Sequence, residues 1–452
     1  MKLIDLNRDG GIGANCLYLE IGPFHILVDA GLHPKKAGLE AMPDFSLIDG
    51  KAIDFFLLTH CHLDHLGSLP VILREHPEAT VYMSIPSVTL APRMLHNSCN
   101  VMKRQRMEAN IPEYPLFSHE EIDFLQTQFR GVPYDQSKTL TKGNEEITIT
   151  LHSAGHVAGA AGISLVYKHR RIFLSGDVLF TPQRILNGAH FPAETCDTLI
   201  LETTRGATPT DPGVTRESEV KRLIETVNHT LLAGGSCLIP VFALGRMQEV
   251  LTLLRDARNE GSLMDSPVFC SGLGMDLADY FDMISRRTGL LQFSRKVLKD
   301  LRIKPIPRRL RPGHEPGEKG IFVVSSGMLV ENTPSYTVAS CLLENHHNTV
   351  CFVGYCDPDT PGGKMLQHPK ETNFVFEAFD YTARLNASIE RFELSGHANR
   401  EELIDFTLAS EPRTVVLTHG DPPARDWFAQ TLGEARPNMQ VIDPVPGKLI
   451  TV

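Results

Sequence analysis

The chain has a single tryptophan, no Cys-x-x-Cys pair and no apolar run approaching the roughly 20 residues needed to span a bilayer. That last absence excludes a membrane-spanning helix. The opening Met1-Lys2-Leu3-Ile4-Asp5 lacks the basic-then-apolar pattern of a secretory leader. Nine cysteines, an odd number with no paired spacing, argue against a disulfide framework and for the reducing cytoplasm. Cys351 and Cys356 are read as buried free thiols. Positive charge is also scarce: 44 Lys and Arg stand against 54 Asp and Glu, a net charge of −10. Such a deficit counts against a broad basic face for nucleic acid. The positive charge present is uneven, with Arg295, Lys296, Lys299, Arg302, Lys304, Arg308, Arg309 and Arg311 accompanied only by Asp300, and a smaller group at Lys103, Arg104 and Arg106. Each stretch taken alone reads first as a solvated surface.

What is there is ordinary in bulk. A length of 452 residues suits two to three domains, and 42% hydrophobic with 22% charged residues suits a well-packed protein. The first two hundred residues alternate short β-branched runs with turn signals, as in the hairpin Leu17–Ile21 and His25–Asp29 around Gly22-Pro23. Further strands are expected at 54–59, 147–151, 163–167, 171–175 and 198–201, with a helix over 86–110. From about residue 207 the pattern becomes strand–helix alternation: helices over 218–232, 245–258 and 276–287, strands at 237–241, 268–270, 321–324 and 350–353. That is the pattern of a parallel-sheet α/β domain. Residues 305–320 read as a long basic loop, Pro361-Gly362-Gly363-Lys364 as another loop, and Thr414–Leu417 as the final strand.

The chemistry concentrates in His60-Cys61-His62-Leu63-Asp64-His65, which follows the apolar run Phe55–Thr59. Side chains alternate along an extended segment, so His60 and His62 face one way and can grip one ion. Asp64 and His65, at the turn into a helix, can face a second. Histidine and aspartate are rarely buried without partners, and core packing gives no reason for so many ligand types in so short a run. Imidazole and carboxylate together suit zinc, with manganese or iron as alternatives. Further ligands stand after apolar strands and beside glycine: His156 in Ala154-Gly155-His156, Asp177 in Ser175-Gly176-Asp177, and His419 in Thr418-His419-Gly420. Any one of these alone reads as a hydrogen-bonded histidine or a turn aspartate. Together they complete two coordination shells.

Asp29 in Leu27-Val28-Asp29-Ala30-Gly31, the HxHxDH run, His156 and Asp177 resemble, in order, the motifs of the metallo-β-lactamase superfamily. The resemblance implies an α/β fold, an αββα sandwich. It implies two divalent ions, zinc first and manganese as the alternative: His60, His62 and His156 on one, Asp64, His65 and His419 on the other, Asp177 bridging, and Asp29 orienting a ligand from behind. Leu201-Glu202-Thr203-Thr204-Arg205 looks like the first motif of the β-CASP branch, and Leu394-Ser395-Gly396-His397-Ala398 like its second. Ile239–Arg246 with Gln248-Glu249, Ser325–Leu329 and Gly354-Tyr355-Cys356 are close to the pattern of the inserted parallel-sheet β-CASP domain. The implied organisation is 1–206 and 391–452 for the metallo-β-lactamase domain and 207–390 for the insertion. The resemblance extends to the nuclease subunit of the messenger-RNA cleavage and polyadenylation machinery, its compact prokaryotic relatives and the ribonuclease J core.

This branch implies cleavage of single-stranded RNA by metal-activated water, with Asp64 in the reacting centre, His397 protonating the leaving oxygen and Glu202 holding its ring. A histidine at 419 goes with RNA in this family, whereas the DNA branch tends to have valine. Ser326, Gly327 and Met328 are candidates for phosphate contact through backbone N–H groups, a simple tight turn being the alternative. Arg205 stands where the family usually has tyrosine. The stretch after His419 leaves no room for ribonuclease J's extra C-terminal domain, which weighs against processive exonuclease action. Competing readings are a thioesterase or lactonase, a DNA hydrolase and an inactive scaffold. A homodimer is compatible with everything above, and no membrane role is expected.

Overall fold

The computed structural model describes residues 1–452, which fold as two compact units. The first comprises Met1–Pro182, Gly188–Thr210 and His397–Val452; the second comprises Asp211–Gly396 with the short segment Gln183–Asn187. No helix is long and apolar enough to cross a membrane.

The first unit contains two seven-stranded sheets. One runs in the order Ile450–Thr451, Lys2–Asp5, Leu17–Ile21, Phe24–Val28, Phe55–Leu57, Thr80–Ser84, Phe129–Val132; the other runs Gln440–Ile442, Thr414–Thr418, Thr198–Glu202, Arg170–Leu174, Ala161–Tyr167, Glu145–Ser153, Ser137–Lys142. Period-two alternation makes the sandwich. Ile147, Ile149 and Leu151 turn inward with Ile163, Leu165, Ile172 and Ile200 to meet Leu19, Ile26, Val28 and Leu57 of the facing sheet. Each such side chain contributes about 1.5–3 kcal/mol on burial. On the outer face, Leu403, Phe428 and Leu432 of the helices Arg400–Ser410 and Pro422–Ala435 pack on Phe173, Leu199, Leu201, Val415 and Leu417.

Strand direction decides where the polar residues collect. Phe24–Val28 and Phe55–Leu57 are parallel, with Val28 opposite Leu57, so Asp29 and His60 leave the sheet at the same end. In the facing sheet Arg170–Leu174, Thr198–Glu202 and Thr414–Thr418 are parallel, with Glu202 opposite Thr418. Asp177, Glu202 and His419 therefore emerge together.

The second unit holds a six-stranded, wholly parallel sheet in the order Lys304–Pro305, Val268–Cys270, Ile321–Val324, Cys237–Pro240, Thr349–Phe352, Ser388–Arg391, and a hairpin Asn373–Phe376/Tyr381–Arg384. Its four inner strands are buried throughout and read as apolar runs, while the edge strands Lys304–Pro305 and Ser388–Arg391 are polar; Leu238, Phe322, Val324, Val350 and Phe352 bury against Tyr336 and Leu342. Three expectations change. Pro361-Gly362-Gly363-Lys364 is the first turn of the helix Pro361–Gln367, capped by Thr360, whose hydroxyl accepts the Gly363 N–H; proline at the first position suits a helix start. Thr414–Thr418 is followed by two more strands, Gln440–Ile442 and Ile450–Thr451, the latter paired with Lys2–Asp5. Ser118-x-x-Glu121 forms a capping box on an unforeseen helix, His119–Leu125.

Candidate metal centre and its acid–base pair

Leu63–Leu66 is a single helical turn with His62 at its N-cap, so His60 and His62 sit on the loop after the strand while Asp64 and His65 ride the turn. The chain can bend so tightly only because Gly31 has no side chain: a Cβ there would lie 1.7 Å from the Asp64 carbonyl oxygen. Gly176, at φ +55°, makes the corner that carries Asp177 back toward the same point.

These turns bring two groups of ligand atoms together. His60 Nε2 and His156 Nε2 each lie 3.1 Å from His62 Nδ1. Asp64, His65 and His419 form the second group, with His419 Nε2 3.4 Å from both Asp64 Oδ2 and His65 Nε2. Asp177 stands between them, its Oδ2 3.7 Å from His60 Nε2, 3.8 Å from His156 Nε2 and 3.5 Å from His65 Nε2. Asp177 Oδ1 is buried and accepts no hydrogen bond; His419 Nδ1 is 3.2 Å away but directed elsewhere.

Residues behind the ligands fix which nitrogen is free. Asp29 Oδ2 is 2.7 Å from His65 Nδ1; a carboxylate only accepts, so Nδ1 carries a proton and Nε2 is turned toward the cluster, with the Asn15 side-chain amide 3.2 Å from it. Asp29 is held in turn by the Thr59 N–H at 2.8 Å and the Thr59 hydroxyl at 2.7 Å. On the other side the Thr204 hydroxyl donates to the His419 carbonyl at 3.1 Å, so its oxygen accepts from His419 Nδ1 at 2.9 Å and Nε2 again faces inward.

The donor set fits a divalent ion. Zinc–nitrogen bonds of about 2.0–2.1 Å at tetrahedral angles separate neighbouring nitrogens by ~3.3 Å, close to the spacing of the three-histidine group. Burial, reinforced by His65, pushes the His60 pKa well down, toward the neutral form that ligates. Burial also lowers that of His65, yet Asp177, Asp64 and Asp29 outweigh it and hold the value well up. For Asp177 burial is likewise overcome, by His419, His65 and His60, and its carboxyl stays ionised. So much buried carboxylate calls for a cation, and a metal answers that need better than a proton.

Beside the three-histidine group stands His397, its ring centroid 4.5 Å from that of His156. His397 Nδ1 lies 3.1 and 3.2 Å from the two Glu202 oxygens. Glu202, 1% exposed, is fixed by the Val178 N–H at 2.8 Å and the Thr204 N–H at 3.3 Å. Burial would lower the His397 pKa, but the Glu202 carboxylate reverses this and the net shift is upward. All of His60, His62, Asp64, His65, His156, Asp177, Glu202, His397 and His419, with Asp29 behind, thus converge in the first unit. Ser326, Gly327 and Met328 belong to the second unit. There the Ser326 hydroxyl accepts the Val330 N–H at 2.9 Å and the Met328 carbonyl accepts the Gly362 N–H at 2.9 Å. Thr59 and Thr204 escaped the sequence reading, although each adjoins a residue that reading singled out.

Three family models match along the chain: the metallo-beta-lactamase superfamily domain over residues 18–205, the Beta-Casp domain over 247–365 and the Zn-dependent metallo-hydrolase RNA specificity domain over 382–442. The chain thus carries a metallo-β-lactamase superfamily domain and a Beta-Casp domain. Among its relatives, the Integrator complex subunit 11 homolog of Dictyostelium discoideum is 28% identical over 96% of this chain and 59% of its own length. The transcription termination factor FttA of Pyrococcus abyssi is 27% identical over 91% of this chain and 65% of its own, and the Integrator complex subunit 11 of Danio rerio 26% identical over 100% and 74%. The chain thus spans less than two thirds of the length of the first two.

Proposed function

We propose that this chain is a ribonuclease that hydrolyses phosphodiester bonds of single-stranded RNA. Two divalent ions, zinc by the donor chemistry, would be held by His60, His62 and His156 on one side and by Asp64, His65 and His419 on the other, with Asp177 between. When bound, such ions activate water at neutral pH and offset charge on phosphoryl oxygens. The protein's own part is to orient and to move protons. Asp29 and Thr204 keep His65 and His419 in the tautomers that face the ions. Glu202 grips His397 Nδ1, so the opposite nitrogen is the one that delivers a proton to the departing ribose oxygen. General-acid help of this type is worth about 10²–10⁴-fold in rate.

The observation that carries this reading is the Glu202–His397 pair, 3.1 Å apart beside the candidate ligands: His397 and Glu202 each come within ligand distance of Asp177, yet the carboxylate is turned onto His397 Nδ1. A thiolate leaves without protonation and needs no such pair; an alkoxide does need one. The RNA specificity model spans both His397 and His419, and relatives named for transcription termination point the same way. Ser326, Gly327 and Met328 would contribute backbone N–H groups toward a phosphate. Nine unpaired thiols suit a reducing compartment such as the cytoplasm.

The test is the purified protein, its metal quantified, on single-stranded RNA labelled separately at each end, with single-stranded DNA and a thioester as controls. Cleavage of RNA is expected, and the two labels separate internal from terminal cutting. Turnover of thioester with inert RNA would overturn the reading. Preference for DNA would move the substrate class, and metal-poor, inactive protein would mark a scaffold.

A further inference from the structure

A second set of reactive side chains lies on the outer face of the same unit, away from the metal centre. Along Glu145–Ser153 and Ala161–Tyr167 the residues facing the core alternate with Thr148, Thr150, His152 and Ser164, which face outward. The antiparallel register sets Thr150 opposite Ser164 and His152 opposite Gly162. The space over Gly162 is filled by Phe191 and Phe173, and the His152 ring reaches diagonally to Ser164. Asp135, in the turn before Ser137–Lys142, has φ +58° and donates its N–H to the Leu151 carbonyl at 2.8 Å, which fixes its carboxylate beside the imidazole.

The hydrogen bonds run in one direction. Asp135 Oδ1 is 2.7 Å from His152 Nδ1 and can only accept, so the proton is on Nδ1. In the neutral ring Nε2 is then an acceptor, and the Ser164 hydroxyl at 3.2 Å is its donor. Carboxylate, imidazole and serine in this order, with these nitrogens, form the constellation that activates a nucleophile, and it is recognised by geometry on any fold. It opens into a cavity of about 270 Å³ whose walls include Thr150, Arg171, Phe173 and Phe406. That space suits a short acyl or small aryl group; its polar wall holds Thr150, hydrogen-bonded to the Ser137 hydroxyl at 2.9 Å, and Arg171, ion-paired with Glu194.

We propose that Ser164, His152 and Asp135 form a second, metal-independent site that hydrolyses small carboxylic esters through an acyl-Ser164 intermediate. Ser164 Oγ attacks the carbonyl carbon while its proton passes to His152 Nε2. The carbon–alkoxide bond breaks and the same proton leaves on the alcohol. Water then attacks the acyl carbon and gives a proton to Nε2. The acid departs and Ser164 regains its hydrogen. Ester and water are the only reactants. Asp135 acts as a positioning residue, its side chain 54% exposed against 10% for His152, so its removal should cost less.

The experiment treats metal-loaded protein with an alkyl fluorophosphonate, maps the adduct by peptide mass, and measures p-nitrophenyl acetate hydrolysis in parallel. A single adduct on Ser164 is expected. Labelling and acetate release should fall at least ~10²-fold in Ser164→Ala and His152→Gln, and about tenfold in Asp135→Asn. Metal content, thermal melting and RNA cleavage should be unchanged, and His397→Ala should leave labelling intact. Should His152→Gln not fold, the surface variant Asp135→Asn carries the test. An adduct elsewhere, none at all, a Ser164 labelling rate indifferent to His152 and Asp135, or ester hydrolysis that survives Ser164→Ala would overturn the proposal.

Discussion

Replacing Thr204 by valine tests whether the residues behind the ligands govern the centre. Valine keeps the shape of threonine but has no hydroxyl, so two interactions vanish together: the donation to the His419 carbonyl at 3.1 Å and the acceptance from His419 Nδ1 at 2.9 Å. Both partners are buried, and a buried N–H left without an acceptor costs about 1–3 kcal/mol. The freed ring can also protonate at either nitrogen, so part of the population turns its N–H toward the ion. A loss of 10–100-fold in affinity is expected, as is usual for partners behind metal ligands, which corresponds to about 1.4–2.8 kcal/mol. The effect should fall on the ion held by Asp64, His65 and His419 and spare the three-histidine side, which Thr204 does not touch. Competition with a chromophoric chelator, with metal counted by mass spectrometry, should therefore lower stoichiometry from two ions toward one at chelator levels the parent withstands. Two ions bound with parental affinity would refute the reasoning; equal loss of both would show that the sides do not bind separately.

His397→Ala should retain both metals and lose about 10²–10⁴ of RNA cleavage; survival of both metal and cleavage would end its role as proton donor. Replacing Lys296, Lys299, Arg308 and Arg309 by glutamine should reduce the salt dependence of RNA binding by up to ~0.7 in slope per lost phosphate contact, and an unchanged slope would make that stretch a plain surface. Asp5 gives a pH signature apart from the centre. Burial pushes its carboxyl up to about 6, above its unfolded value, so the folded state holds the proton more tightly. Its penalty is complete above pH 6 and fades as pH falls toward 4. Asp5→Asn should accordingly raise the melting temperature relative to the parent at pH 8 more than at pH 5, and equal differences at both would count against that burial effect.

Much of the site could be read from sequence because parallel strands release their ends together. His60 to His65 is conspicuous by density. Asp177 and His419 are conspicuous because a polar residue beside glycine follows an apolar strand, and the register then gathers those ends. Thr204 was not legible as His419's partner, since the two are 215 residues apart and threonine gives no signal of its own. The segment Gln183–Asn187, which packs with the second unit, was hidden for a similar reason: it is too short to show a period. The loop expected at Pro361-Gly362-Gly363-Lys364 went astray because its glycines outweighed the Thr360-Pro361 helix start. His152 and Asp135 carry no signal in the sequence, since one lies in an ordinary strand and the other in a turn, and only the folded register sets His152 between Asp135 and Ser164.

The central claim is that metal at this centre cleaves RNA, and titrating metal-free protein with zinc while following cleavage of end-labelled RNA tests it most directly. Cleavage should be absent without metal and should rise as the second equivalent per chain binds, with His397→Ala binding the same two equivalents in silence. Cleavage in the metal-free protein, or none after two equivalents are bound, would contradict it.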